Sequence, residues 1–202
     1  MPREDMDRLT PKLQEALELA IRLHGQDARK ASPVPALAHL LGVCALVQLD
    51  GGDEDEAIAA LLHDSLEDKP GEITRAEIER RFGGRVAALV QAATDTPPDF
   101  AGGPKPPWRQ RKEGYLSRAR AADPRDLRVL VADKVDNLRS ILADYRRLGE
   151  PFWSRFNAGK AEQVWYYRSA LAAYRSAGFR GPLADELERL VGELIEATRA
   201  SA

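Results

Sequence analysis

A chain of 202 residues is long enough for one substantial domain. Hydrophobic residues at 44% and charged residues at 31% exclude a disordered chain, and no apolar stretch approaches the length of a membrane span. The 30 basic residues against 32 acidic ones give a net charge of −2, so nothing global favours nucleic acid or an anionic membrane, and any positive potential is local. The single cysteine, Cys44, excludes an internal disulfide and a cysteine-based zinc site; within the apolar run of residues 40–47 it reads as a buried, inert thiol. The stretch Met1-Pro2-Arg3-Glu4-Asp5 lacks the apolar region of a signal peptide, and the expected compartment is the cytosol.

In chain order, Leu13, Ala16, Leu17, Ala20, Ile21 and His24 recur at helical spacing, which predicts a helix over 10–26. A loop with Pro33 and Pro35 leads to a second helix over 36–49, and Asp50-Gly51-Gly52-Asp53 is a turn. Acids 53–56 suit the positive end of a third helix that runs to Asp68 and is stopped by Pro70. Thr74 with Glu77 makes a capping box for the next helix, and Gly83-Gly84 separates it from another beginning near Arg85. The prolines and glycines of 97–107 predict an exposed loop, and a basic helix follows over 108–121. Asp123-Pro124 is an N-cap and first-turn proline opening the helix that holds Val129 to Asp133, Leu138 and Tyr145. Pro151 is expected to open a long helix to about 177, and Gly181-Pro182 a last one over 182–200. The fold class is all-α, a compact bundle of about nine helices forming a single domain with its core over about 10–178.

The chemistry centres on residues 57–68, where an apolar run delivers His63-Asp64, then Glu67-Asp68 one turn later. On a continuous helix His63 would lie beside Glu67 and Asp64 beside Asp68, offering an imidazole and three carboxylates to one point. Like carboxylates repel and burial disfavours their charge, so a divalent cation is the natural companion. Asp133 interrupts an apolar run, where an unpaired carboxylate costs several kcal/mol; its alternatives are a ligand role or an ion pair with Lys134 or an arginine. Asn137 shares its helix face and offers an amide to a hydroxyl or phosphate oxygen. With His39, these make two imidazoles and two carboxylates on three helices, a set suited to manganese, iron or magnesium-like coordination.

The segments His24-Gly25-Gln26-Asp27-Ala28-Arg29-Lys30, His39, 59–68 and Ala132-Asp133-Lys134-Val135-Asp136-Asn137-Leu138 resemble the HD superfamily of metal-dependent phosphohydrolases, most closely the hydrolase domain of the RelA/SpoT family and its small stand-alone alarmone hydrolases. The resemblance implies one manganese ion on His39, His63, Asp64 and Asp133. It assigns the water and the leaving-group proton to Glu67 and Asp68, and nucleotide contacts to Arg29, Lys30 and Asn137. The implied substrate is guanosine tetra- or pentaphosphate, losing its 3′-diphosphate as pyrophosphate. Such a substrate needs a basic patch, for which Lys105, Arg109, Arg111 and Lys112 are the candidates, Arg111-Lys112 corresponding to a basic pair of the family. Arg29 is suited to stack its guanidinium on a purine. The expected partner is this small nucleotide, with neither nucleic acid nor membrane, and both monomer and homodimer stay open.

One departure bears on specificity. Where the family has Pro-Tyr-Ile before the first histidine and a proline after it, this chain has Pro35-Ala36-Leu37-Ala38-His39-Leu40. The missing tyrosine keeps two other readings in play: an HD-type hydrolase of another nucleotide, such as an adenine alarmone, a nucleoside monophosphate or a nicotinamide dinucleotide phosphate, or a non-catalytic nucleotide-binding regulator.

Overall fold

The computed structural model of the chain describes residues 10–29, 33–95 and 105–199. Lys30 and most of the 97–107 loop lie outside the described residues. Among those described there are ten α-helices and no strand: α1 Pro11–His24, α2 Ala36–Leu49, α3 Glu54–Leu62, α4 Ser65–Asp68, α5 Arg75–Phe82, α6 Gly84–Ala93, α7 Trp108–Ala121, α8 Arg128–Leu148, α9 Lys160–Ser176 and α10 Pro182–Arg199. No described helix is long and apolar enough to cross a membrane.

Local chemistry sets most of the boundaries. Thr10 accepts the Leu13 N–H ahead of Pro11, Asp53 and Glu56 form a reciprocal capping box at α3, and Thr74 accepts the Glu77 N–H at α5. Gly83, at φ 97°, separates α5 from α6 in a left-handed conformation that suits glycine alone. From Glu56 to Leu62, α3 is buried because α1, α2, α6 and α8 all pack around it. A second layer, α7 and α10 against α9, with α10 also on α8, closes the bundle. Between α2 and α3 on one side and α8 on the other, Arg128 forks onto Glu56 at 2.6 and 2.7 Å and reaches Asp50 at 3.0 Å, neutralising a carboxylate that is 2% exposed.

Three predicted elements end differently. The third helix stops at Leu62, because the His63 ring donates through Nδ1 to the Ala60 carbonyl at 2.8 Å and takes an acceptor that helix continuation needs. The chain turns through His63 and Asp64 and resumes for one turn as α4. Asp123-Pro124 opens only a 3-10 turn, Pro124–Asp126, and α8 starts at Arg128. Pro151 likewise lies in a 3-10 segment, Glu150–Arg155, whose Phe152 and Trp153 bury against Tyr145; the long helix begins at Lys160.

Candidate metal centre and cleft

The break after α3 is what builds the site. His63, 2% exposed, commits Nδ1 to the Ala60 carbonyl, which leaves Nε2 buried without a hydrogen-bond partner. His39, in the first turns of α2, commits its Nδ1 to Asp136 Oδ2 at 2.6 Å, so its Nε2 also faces inward. Asp64 Oδ1 lies 3.2 Å from His63 Nε2, and its Oδ2 lies 3.8 Å from His39 Nε2. Asp133 Oδ1, from α8, stands 3.3 Å from His39 Nε2 and 3.7 Å from His63 Nε2. The rings meet edge to face with centroids 5.0 Å apart.

The donors of His39, His63 and Asp64 are spaced as ligands of one cation could be, since neighbouring donors at roughly 2.1 Å from a metal sit about 3 Å apart. The orphaned Nε2 of His63 is the observation that tests the fit: a buried ring nitrogen with nothing to bond is costly unless something fills the space between the donors. His39, His63 and Asp64 bring their ligand atoms within 4.8 Å of one another, and Asp133, outside that group of three, faces both imidazoles from α8. Burial lowers the proton affinity of His39, but Asp133 and Asp136 outweigh it and raise its pKa to about 9; His63 is raised likewise, against burial, by Asp64 and Asp133. Protons thus take the place of positive charge between the acids, as expected of a cation site.

Asp133 makes the expected ion pair with Lys134 and also faces the two imidazoles. Its Oδ2 pairs with buried Lys134 while Oδ1 faces the imidazoles and accepts from Asn137. Burial opposes ionisation of Asp133, yet Lys134 and the two histidines hold its pKa well below the usual carboxylate range. Asp136, which sequence reasoning missed, orients His39 and accepts from Arg29 at 2.9 Å. Its spacing of three from Asp133 was a usable signal, since both then lie on one face of α8. Gly42 was missed as well: a Cβ there would stand 2.6 Å from Asp136 Oδ1, so glycine lets α2 and α8 close on each other.

His39 and Asp64 line a cleft of about 1240 Å³ between α2, α4, α7, α8 and α9. Arg29 and Asn137 line it, joined by a 2.7 Å hydrogen bond, so the guanidinium expected to stack on a base is held edge-on by Asp136 and Asn137. Asp68 lines it too, and burial followed by Asp64 and Glu67 raises its carboxyl pKa to about 6. Glu67, by contrast, turns to α7, 3.3 Å from Lys105 and 3.8 Å from Arg111. The continuous helical turn of four site residues is therefore split: His63 and Asp64 join His39, while Asp68 and Glu67 face different neighbours.

Of the basic candidates on α7 and before it, only Lys112 lines the cleft. Arg109 lies over the Trp165 ring at 3.2 Å and pairs with Glu113 and Glu162 on the exposed side, Lys105 pairs with Glu67, and Arg111 pairs with Asp95. Cys44 is buried as expected, and burial pushes its thiol up to about 11.

Fold and donor set together define an all-helical bundle with a His-His-Asp group that could hold a metal ion beside a cleft. The HD domain model matches residues 16–156, and the chain belongs to the HD-domain family. It is 34% identical over 133 residues to the guanosine-3′,5′-bis(diphosphate) 3′-pyrophosphohydrolase MESH1 of Homo sapiens, covering 64% of this chain and 69% of that one. It is 35% identical over 147 residues to the guanosine-3′,5′-bis(diphosphate) 3′-pyrophosphohydrolase of Aquifex aeolicus, 68% of this chain but only 20% of that much longer protein. Among solved structures, a metazoan ortholog of SpoT that hydrolyses ppGpp superposes with a TM-score of 0.73 at 24% identity, covering 92% and 97% of the two chains. The Listeria monocytogenes protein lmo0812 gives 0.68 at 31% identity, covering 78% and 99%.

Proposed function

We propose that this chain hydrolyses guanosine 3′,5′-bis(diphosphate) and its 5′-triphosphate analogue to GDP or GTP and pyrophosphate, in the cytosol, with manganese held by His39, His63, Asp64 and Asp133. The observation that carries the reading is the convergence of two oriented imidazole Nε2 atoms and Asp64, faced by Asp133, where His39 and Asp64 line a nucleotide-sized cleft. Relatives named for this reaction support the substrate.

A divalent cation bound there would acidify water and polarise the phosphoryl oxygen. The chain's own residues do the rest. Asp136 and the Ala60 carbonyl fix the two histidines as Nδ1–H tautomers and keep their Nε2 atoms turned to the cation. Water adds to phosphorus, the bond to the 3′-oxygen breaks, and that oxygen must gain a proton as pyrophosphate departs. Asp68, raised to about 6, lines the cleft and is poised to carry this proton near neutral pH. Glu67, tied to Lys105 and Arg111, braces the same wall and lifts Asp68 by its charge. Arg29 and Asn137 present donors to the nucleotide from the opposite wall.

The test is to incubate the manganese-loaded chain with a nucleotide panel and identify the products. Pyrophosphate release from the guanosine bis(diphosphate) supports the proposal, and inorganic phosphate release from another nucleotide as the sole turnover overturns it. One observation favours keeping a different nucleotide in the panel: Ala36 lines the cleft where the family carries a tyrosine, so this wall is set back.

A further inference from the structure

We propose that Asp95 is the positioning residue that holds Lys112 in the cleft wall as the cation receiving a substrate phosphate. This rests on the phosphohydrolase reading above. Asp95 is 3% exposed at the end of α6, and its carboxylate is shared between neighbours on α7: Oδ1 meets Arg111 Nη1, and Oδ2 lies 2.7 Å from Lys112 Nζ. Its backbone cannot drift, because the Asp95 N–H donates to Glu67 Oε2 at 3.4 Å and the adjoining Thr94 carbonyl accepts from Arg118 at 2.9 Å. One buried carboxylate thus ties the wall that carries Asp68 to the helix that carries Lys112.

The arrangement sorts α7's cations into two kinds. Arg111 is absorbed by Asp95, by Glu67 and by the Pro106 carbonyl at 3.2 Å. Lys112 alone reaches the cleft, with its ammonium 4.8 Å from the Tyr166 ring centre and 19% of its side chain exposed. Left to itself it would be a poor phosphate ligand, since burial and the charge of Lys134 on α8 both depress its proton affinity. The groups that face it and oppose this are Asp95 from α6 and Glu67 from α4, while Tyr166 of α9 offers its ring. With Glu67 itself engaged by Lys105, Asp95 is the partner in contact that keeps Lys112 charged and aimed.

The full chain loaded with manganese provides the test, using Asp95→Asn, Asp95→Glu, Lys112→Gln and the double variant Asp95→Asn/Lys112→Gln. Loss of one charge-assisted contact predicts that KM for guanosine 3′,5′-bis(diphosphate) rises about tenfold in Asp95→Asn and in Lys112→Gln, more than kcat falls. The double variant is no worse than either single one, and Asp95→Glu restores part of the loss. The alkaline fall of kcat/KM moves to lower pH in Asp95→Asn. Independently of any substrate, the Lys112 Nζ resonance, assigned by its disappearance in Lys112→Gln, titrates at lower pH in Asp95→Asn than in wild type. An unchanged Lys112 titration, an unchanged KM, or additive effects in the double variant overturns the proposal. Should Asp95→Asn fail to fold, Lys112→Gln decides by its KM alone, raised or unchanged. If wild type turns over no guanosine bis(diphosphate), the functional reading fails, while the Lys112 titration still decides the role of Asp95.

Discussion

His39 Nδ1 and Asp136 Oδ2 sit 2.6 Å apart, across the contact between α2 and α8 that Gly42 makes possible. This pair sets the tautomer that turns Nε2 of His39 toward Asp64 and Asp133. Asp136→Ala removes the acceptor, and losses of this type weaken metal binding by about 10- to 100-fold. Calorimetric titration with manganese checks it, with Gly42→Ala expected to weaken binding in the same direction by pushing the two helices apart. Wild-type affinity in both variants would sever the link.

The histidines predict an unusual pH response of the metal-free chain. His39 has a folded pKa of about 9 against 6.5 for the free group, and His63 is raised as well. Groups raised on folding stabilise the fold fully below the unfolded value, and that stabilisation fades as pH climbs through the folded one. The melting temperature in chelator should therefore fall between about pH 6.5 and 9, a window set by these shifts. Buried His24, whose pKa burial lowers, acts below that window and in the opposite sense. Manganese-loaded protein should lack the decline, and loading at pH 7.5 should release protons, measurable by calorimetry in buffers of different ionisation enthalpy.

The proposed proton carrier Asp68 carries an electrostatic cost in the fold. Its carboxyl is raised to about 6 first by burial and then by Asp64 and Glu67, so above that pH its charge destabilises the fold. Asp68→Asn should melt a few degrees higher than wild type at pH 7.5 while kcat falls about 10²- to 10⁴-fold, the usual worth of a proton-transfer group. Turnover within a few-fold of wild type would remove Asp68 from the proton path.

The Arg128 fork on Glu56 makes a purely structural prediction. Arg128→Met leaves a 2%-exposed carboxylate with only Arg85, 3.9 Å away, as a counter-ion, at a cost of up to about 3–5 kcal/mol. For a chain of this size that corresponds to a fall of roughly 6–20 °C in melting temperature. Adding Glu56→Gln should recover much of the loss, because what destabilises is the stranded charge rather than the missing bond. Scanning calorimetry of the two variants decides it.

Much of the helical layout was written locally in the chain. Caps at Thr10, Asp53 and Thr74, prolines at 11 and 182 and the apolar spacing of α1 and α8 act within a few residues, so the bundle could be read before it was seen. The candidate donors were legible for a related reason: a histidine or an aspartate inside an apolar run advertises a compensating partner wherever it lies. Tertiary structure alone decided how those side chains are aimed. The break at His63 depends on its ring competing for a backbone carbonyl, Asp136 matters because α2 lies close enough for His39 to reach it, and Asp95 meets Arg111 and Lys112 rather than Arg109 because the chain after α6 runs against α7. Partners so far apart in the chain leave no periodicity to read, and their pairing exists only once burial of α3 has drawn the surrounding helices together.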